Sequence, residues 1–522
     1  MKHLAACGEN GGQTDLSIVR RISLVPSPPV RGGFVTPGFC PRLLITVLLA
    51  SAAFAVQPDP NRGLYAIWTG QDSKLLELPF ITGGQVLAQW QDVEPAEGHY
   101  DFSSIDGQFE ALARLGRAST VQINGNSHPE WLFSKVPYTG KKLSVQVRDK
   151  RGTLAYWHPA YVKAYLAMLH AYADHLKHAP YRAGVLGVRL NFNALGTEHT
   201  AVPAQDRDPG PWSLAPGVQA ARPWTAEIAE NYKRQVVDTF VREFTPEIRV
   251  FVRNNFFAGE GGDPALLRML ETGRLALFHT SSEIEPRPHG VGQYEVFLRY
   301  CRSGQTLCYA ESWADALGRH GGQTDPRWCP PAQYNYWRLL GDLNWGVSFI
   351  AIYGADLRQW QQPEYRAAFD FAARYAGYHA SPAEAPGAWV ALREGDTLKG
   401  DYSFLMSRRA GEMEAVHGAG PDDQRFGAWA RLLKKAAQAR FALDPEFARS
   451  LRGRQATLNV VYLDRGRGSL QVTCCGKTFS RGLKDTGRWQ TATFPLQSAS
   501  LEDGIAVTAD TDVTLHMIEV QR

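Results

Sequence analysis

Between residues 63 and 380, short runs of apolar and β-branched residues alternate with longer amphipathic segments. This alternation restricts the folds open to the chain more than any other feature. The runs cover 64–68, 85–89, 120–123, 185–192, 248–253, 275–279, 306–310 and 347–352. They are nearly continuous in apolar residues, as parallel strands covered on both faces are. The segments between them carry helical stripes. Tyr161, Tyr165, Met168, Leu169, Tyr172 and Leu176 recur at steps of three and four, as do Ile228, Tyr232, Val236 and Phe240, and Tyr334, Trp337, Leu340 and Leu343. Eight such units predict an α/β chain with a (β/α)8 TIM barrel over 56–381. An open doubly wound sheet is disfavoured, because no Gly-rich dinucleotide turn follows the first run.

The texture changes after the Pro-rich stretch 382–387. Over 388–522 short alternating runs are separated by turns such as Asp464-Arg465-Gly466 and Asp485-Thr486-Gly487. These predict an all-β sandwich, jelly-roll-like, as an accessory domain. At the other end, the apolar run 43–55 follows Arg42 and closes on Ala53-Phe54-Ala55, a small-x-small pattern. Residues 1–55 therefore read as a leader with a signal peptide, and the mature chain as exported, periplasmic or extracellular, with no membrane span. The net charge of +4 on 522 residues argues against a nucleic-acid surface. Cysteine spacing gives no CxxC pair; a Cys301–Cys308 bridge fits the spacing, but isolated buried thiols are the expected state.

Active groups in such a barrel project from the carboxyl ends of the strands. The fourth run leads to Asn193 and then Thr197-Glu198-His199, and the seventh into Glu311-Ser312-Trp313. Two carboxylates at one mouth are what glycoside hydrolysis requires: one protonated to donate to the leaving oxygen, one ionised to attack. Glu283 and Glu285, with Arg287 as an ion partner, are rivals for the second carboxylate. Asn124, Asn126, Asn193, Arg253, Asn254 and His279 lie where they could bond sugar hydroxyls. Trp68, Trp90, Trp313 and Tyr353 lie where a ring could meet sugar C–H groups. Glu94 and Glu97 read as turn residues. No H-E-x-x-H, G-x-S-x-G or P-loop pattern is present, and neither cofactor nor metal is called for.

The segment Trp90-Gln91-Asp92-Val93-Glu94-Pro95-Ala96-Glu97-Gly98-His99-Tyr100-Asp101-Phe102 resembles a stretch after the second strand of clan A glycoside hydrolases. The nearest likeness is to beta-galactosidase family 42 and its relatives. His128-Pro129-Glu130-Trp131-Leu132 resembles that family's segment after the third strand. The resemblance spans roughly 63–378 and implies a retaining β-glycoside hydrolase acting on a β-linked oligo- or polysaccharide. It places Glu198 as acid/base and Glu311 as nucleophile. Thr197 stands where the clan has Asn, His279 ends the strand that often carries a nucleophile-orienting Tyr, and Tyr353 stands where Trp is usual. An endo-acting β-glucanase or agarase, or a non-catalytic glycan-binding barrel, are the alternative readings.

Overall fold

The computed structural model describes residues 59–522 apart from 60, 71, 207–211, 254–263, 280–298, 313–328, 394–399 and 498–500. The leader 1–55 and the residues Asn254, Glu283, Glu285, Arg287 and Trp313 lie outside the described residues.

Eight parallel strands close into a barrel: β1 (Gly63–Ile67), β2 (Ile81–Gln89), β3 (Ala118–Asn124), β4 (Val185–Arg189), β5 (Val250–Arg253), β6 (Leu275–His279), β7 (Cys308–Ser312) and β8 (Phe349–Tyr353). Each strand pairs with the next in sequence, and β8 closes onto β1 through Gly63↔Phe349 to Ile67↔Tyr353. The (β/α)8 expectation holds, with two shifts. The seventh strand lies at Cys308–Ser312, so Glu311 is on the strand and not beyond it. The fourth ends at Arg189; the Leu190 N–H still donates to the Phe251 carbonyl at 2.9 Å, and Phe192 is buried in the loop that follows.

The helices follow the sequence stripes. Helix α1 (Pro159–His178) starts with proline in its first turn and buries Tyr161, Tyr165, Met168, Leu169, Tyr172 and Leu176. Helix α2 (Ala226–Phe244) is capped by Thr225, whose side chain accepts from the Ile228 N–H at 3.1 Å. Helix α3 (Pro331–Trp345) buries Tyr334, Trp337, Leu340 and Leu343. Inside the barrel, Tyr65, Phe251, Phe278, Tyr309 and Phe349 form an aromatic floor. Tyr65 and Phe349 have ring centroids 4.2 Å apart, and Tyr309 and Phe349 4.9 Å.

Residues 387–522 form two antiparallel sheets. One contains Gly387–Ala391, Trp429–Leu433, Ala456–Leu463, Trp489–Leu496 and Val513–Gln521, and the other Gln438–Leu443, Ser469–Cys474 and Ile505–Ala509. Met406–Ala410, Glu414–His417 and Lys477–Gly482 also belong to the two sheets. Barrel and sandwich belong to one compact unit, Gln57–Arg522. Trp337, fully buried on α3, packs on Trp429 and His516 with centroids 5.2 and 5.1 Å away. The Tyr375 hydroxyl donates to Glu519 at 2.5 Å, and the Ser403 N–H to Asn344 Oδ1 at 2.9 Å. Cys301 and Cys308 are joined in a disulfide, where separate thiols were expected; the strand register brings their Cα atoms to 5.6 Å. Among the described residues no helix is long and apolar enough to cross a membrane.

Candidate active site

Strand β4 is apolar until its last residue, Arg189, which is buried. Its guanidinium lies over the Phe278 ring, 4.2 Å from the centroid, on the aromatic floor. A buried guanidinium must be paired to keep its charge. Arg189 Nη1 donates to Glu311 and Nη2 to Glu198, so one planar fork holds both carboxylates. Arg253, at the end of β5, donates to the other oxygen of Glu198. The Glu311 side chain is nearly enclosed, whereas those of Glu198 and Arg253 are 12% and 32% exposed.

Glu311 is inward because its strand alternates: Tyr309 joins the lumen cluster, and Ser312 turns outward to Asp342 on α3. Burial pushes the Glu311 carboxyl above the ordinary glutamate range; Arg189, Arg253 and a hydrogen bond from Tyr353 pull it back without cancelling the effect. Tyr353, at the end of β8, thus supplies a hydroxyl to Glu311, whereas His279 ends the sixth strand. Burial opposes the charge on Arg189, but Glu311, Tyr309 and Tyr353 outweigh it and raise its pKa.

Glu198 is held by the loop after β4. The N–H groups of Phe192 and Asn193 both donate to the Thr197 carbonyl, at 2.9 and 3.0 Å. The Thr197 N–H donates to Gln146 Oε1 at 2.8 Å, and its hydroxyl to Asn126 Oδ1 at 3.2 Å. Gly196 sits at φ +100°, and a Cβ there would lie 2.3 Å from Gln146 Cβ, so the turn needs glycine. Burial, then Arg253, lowers the pKa of the adjacent His199.

Of the expected site residues, the structure brings Glu198, Glu311, Arg253 and Tyr353 together, with Trp68 beside them. Trp68 is 41% exposed and stacks near Tyr353, centroids 6.4 Å apart. Asn124 is inside the barrel, accepting from Gln122 at 2.8 Å and Asn191 at 3.1 Å. Three placements correct the sequence reading. Trp90 is fully buried against Tyr161 and Tyr165, with its N–H donating to Glu94 at 2.8 Å, because the turn after β2 folds inward under α1. His279 shares the outward face of β6 with Leu275 and Leu277 and packs on Trp345, centroids 4.6 Å apart. Asn126 and Asn193 spend amide groups on the loop frame: Asn193 accepts from the Gly125 N–H at 2.7 Å and donates to the Ile123 carbonyl at 3.2 Å. Arg189 was missed; the one available signal was a charged residue closing an otherwise apolar strand.

The beta-galactosidase family 42 model, described as "Beta-galactosidase", matches residues 79–187. That stretch contains both motifs that carried the resemblance. No curated protein matches the chain. Among solved structures, a cold-adapted beta-galactosidase from Rahnella sp. R3 is similar at 12% identity and a TM-score of 0.33, covering 56% of this chain and 50% of that one. The chain therefore spans half the length of that enzyme. The catalytic domain of a beta-amylase from Paenibacillus polymyxa is similar at 11% identity and a TM-score of 0.35, over 56% and 92% of the two chains. A family 30 subfamily 8 xylanase from Clostridium acetobutylicum is similar at 10% identity and a TM-score of 0.34, over 88% and 96%.

Proposed function

We propose that this chain, which carries the beta-galactosidase family segment within a (β/α)8 barrel, is a retaining β-glycoside hydrolase acting on a β-linked oligo- or polysaccharide. The observation that carries this reading is the meeting of Glu198 and Glu311 on one guanidinium at the barrel mouth. Oxygens bonded to two nitrogens of one fork are close enough to flank a single glycosidic bond.

Glu311 is the nucleophile. It is the deeper carboxylate, fixed by its strand, by Arg189 and by the Tyr353 hydroxyl. Glu198 is the acid/base. It lies closer to solvent, where it can exchange a proton with water between the two displacements. In the first step Glu311 attacks the anomeric carbon while Glu198 gives its proton to the departing oxygen. In the second, Glu198 takes a proton from water as that water attacks the glycosyl ester. Trp68 offers an apolar face to the sugar on the outer side of the bond. We also propose export, directed by the leader; an oxidising compartment would preserve the Cys301–Cys308 bridge.

An aryl β-glycoside panel, followed by polysaccharide digestion, tests the reading. Exo action cleaves simple aryl monosaccharides, endo action requires longer chains, and a glycan-binding barrel cleaves neither. Glu311→Ala abolishes turnover of all substrates, whereas Glu198→Ala gives a burst of phenol from very acidic aryl glycosides. Azide then accelerates the second step in Glu198→Ala and yields the β-glycosyl azide; in Glu311→Ala it gives the α-anomer. Near wild-type rates in both variants refute the assignment, and reversed azide stereochemistry exchanges the two roles.

A further inference from the structure

The proposed mechanism needs one ionised and one protonated glutamate side by side, and like charges at such a distance resist joint ionisation. Their arrangement makes a third residue part of the same unit. Among the described residues, the titratable and charged groups around the pair are Arg189 on β4, Arg253 on β5, His199 next to Glu198, Tyr309 on β7 and Tyr353 on β8. Arg189 forms ion pairs with both carboxylates. Its side chain is buried and its plane rests on Phe278, so the fork has little freedom to follow one carboxylate away from the other. Arg253 bonds Glu198, acts on Glu311 through space and is partly exposed.

We propose that Arg189 is a positioning residue that couples the two glutamates, one guanidinium setting their separation and balancing their charge. This rests on the retaining reading given above. The two arginines have separable consequences. Arg189 acts on both carboxylates, so its loss raises the proton affinity of the pair as a whole. Arg253 acts mainly on Glu198, so its loss raises the affinity of the acid/base more than that of the nucleophile. A lysine at 189 restores a charge but not a planar two-pronged bridge.

The test is the pH profile of kcat/KM on aryl β-glycosides for wild type, Arg189→Met, Arg189→Lys and Arg253→Gln. Arg189→Met moves both limbs of the bell upward by about one pH unit or more and lowers kcat by about a hundredfold. Arg189→Lys returns the limbs toward wild type and leaves kcat low, because charge is restored and alignment is not. Arg253→Gln moves the basic limb upward more than the acidic limb. A purely structural Arg189 would change melting temperature and kcat in Arg189→Met with both limbs unmoved, which overturns the coupling. Should Arg189→Met fail to fold, Arg189→Gln takes its place, and unmoved limbs in that variant refute the coupling. A wild type that cleaves neither aryl β-glycosides nor polysaccharide refutes the parent reading; coupling is then read from carboxyl ¹³C titration of Glu198 and Glu311, where unchanged midpoints in Arg189→Met overturn it.

Discussion

Acid should loosen the seam between barrel and sandwich, and two histidines set the expected size of the effect. His516 is fully buried, with Nε2 3.1 Å from the Tyr336 hydroxyl and Nδ1 3.4 Å from the Trp429 carbonyl. Burial, aided by Arg425 and opposed by the Trp429 carbonyl, pushes its pKa down to about 3. His379, bonded to the Leu343 carbonyl at 2.9 Å and edge-on to Phe404, is likewise pushed down to about 3, by burial and then by Arg302. In the unfolded chain a histidine titrates near about 6.5. Above that pH both states are neutral and nothing is lost. Below it the unfolded chain binds a proton that the folded one refuses, so stability falls by up to about 1.4 kcal/mol per pH unit per histidine. By about pH 4.5 each has cost roughly 2.7 kcal/mol, a large part of the 5–15 kcal/mol typical of a native protein. Asp342 works the other way. Burial raises its carboxyl to about 7, so its penalty on the folded state is relieved as pH falls from there, and it offsets about one histidine. The variant His516→Gln isolates one contribution. Its unfolding free energy, from urea melts between about pH 7.5 and about pH 4.5, should fall less steeply than wild type by about 1.4 kcal/mol per unit below about pH 6. Parallel curves would mean that His516 protonates in the native state at its ordinary pKa, and the seam would then be hydrated, not dry.

Three further outcomes are expected. Trp68→Ala should raise KM for aryl β-glycosides roughly two- to tenfold through loss of a stacking face, with melting temperature unchanged because the ring is largely free of the core. Trp90→Phe should leave KM unchanged and cost about 1–3 kcal/mol by stranding a buried Glu94 oxygen; a rise in KM without lost stability would return Trp90 to the sugar site. Deleting 388–522 should lower thermal stability and solubility by baring Tyr336, Trp337 and Tyr375; a truncated barrel that stays soluble and loses only polysaccharide affinity would make the sandwich a binding module.

The barrel was legible in the sequence because its strands are buried on both faces, and burial writes itself as apolar runs. Glu198 and Glu311 were found because each follows such a run. Arg189 was harder. Its meaning depends on carboxylates 9 and 122 positions away in the chain, and spacing along the sequence does not reveal that they share a fork. Trp90 and His279 misled for a related reason: position at a strand end says where a side chain begins, not which side of the sheet it takes. In the sandwich, Glu414–His417 and Lys477–Gly482 are largely exposed strands, so the alternation that marks a half-buried strand is missing from them. The Cys301–Cys308 pairing depended on where β7 begins, which shifted by two residues from the expected 306 to Cys308.

The strand Val513–Gln521 lies between Gly387–Ala391, Trp429–Leu433 and Ala456–Leu463, pairing with all three. It also carries His516 and Glu519, which meet the barrel helices. A ribosome releases these residues after every other strand of the sandwich, so the sheet lacks its middle, and α3 its cover, until synthesis has passed residue 521. Nascent chains arrested before that point should hold an open edge and bare indole rings, the surface that holding chaperones recognise. Quality control of this protein is thereby tied to the strand Val513–Gln521: a stop before it discards a chain whose barrel has already been translated in full.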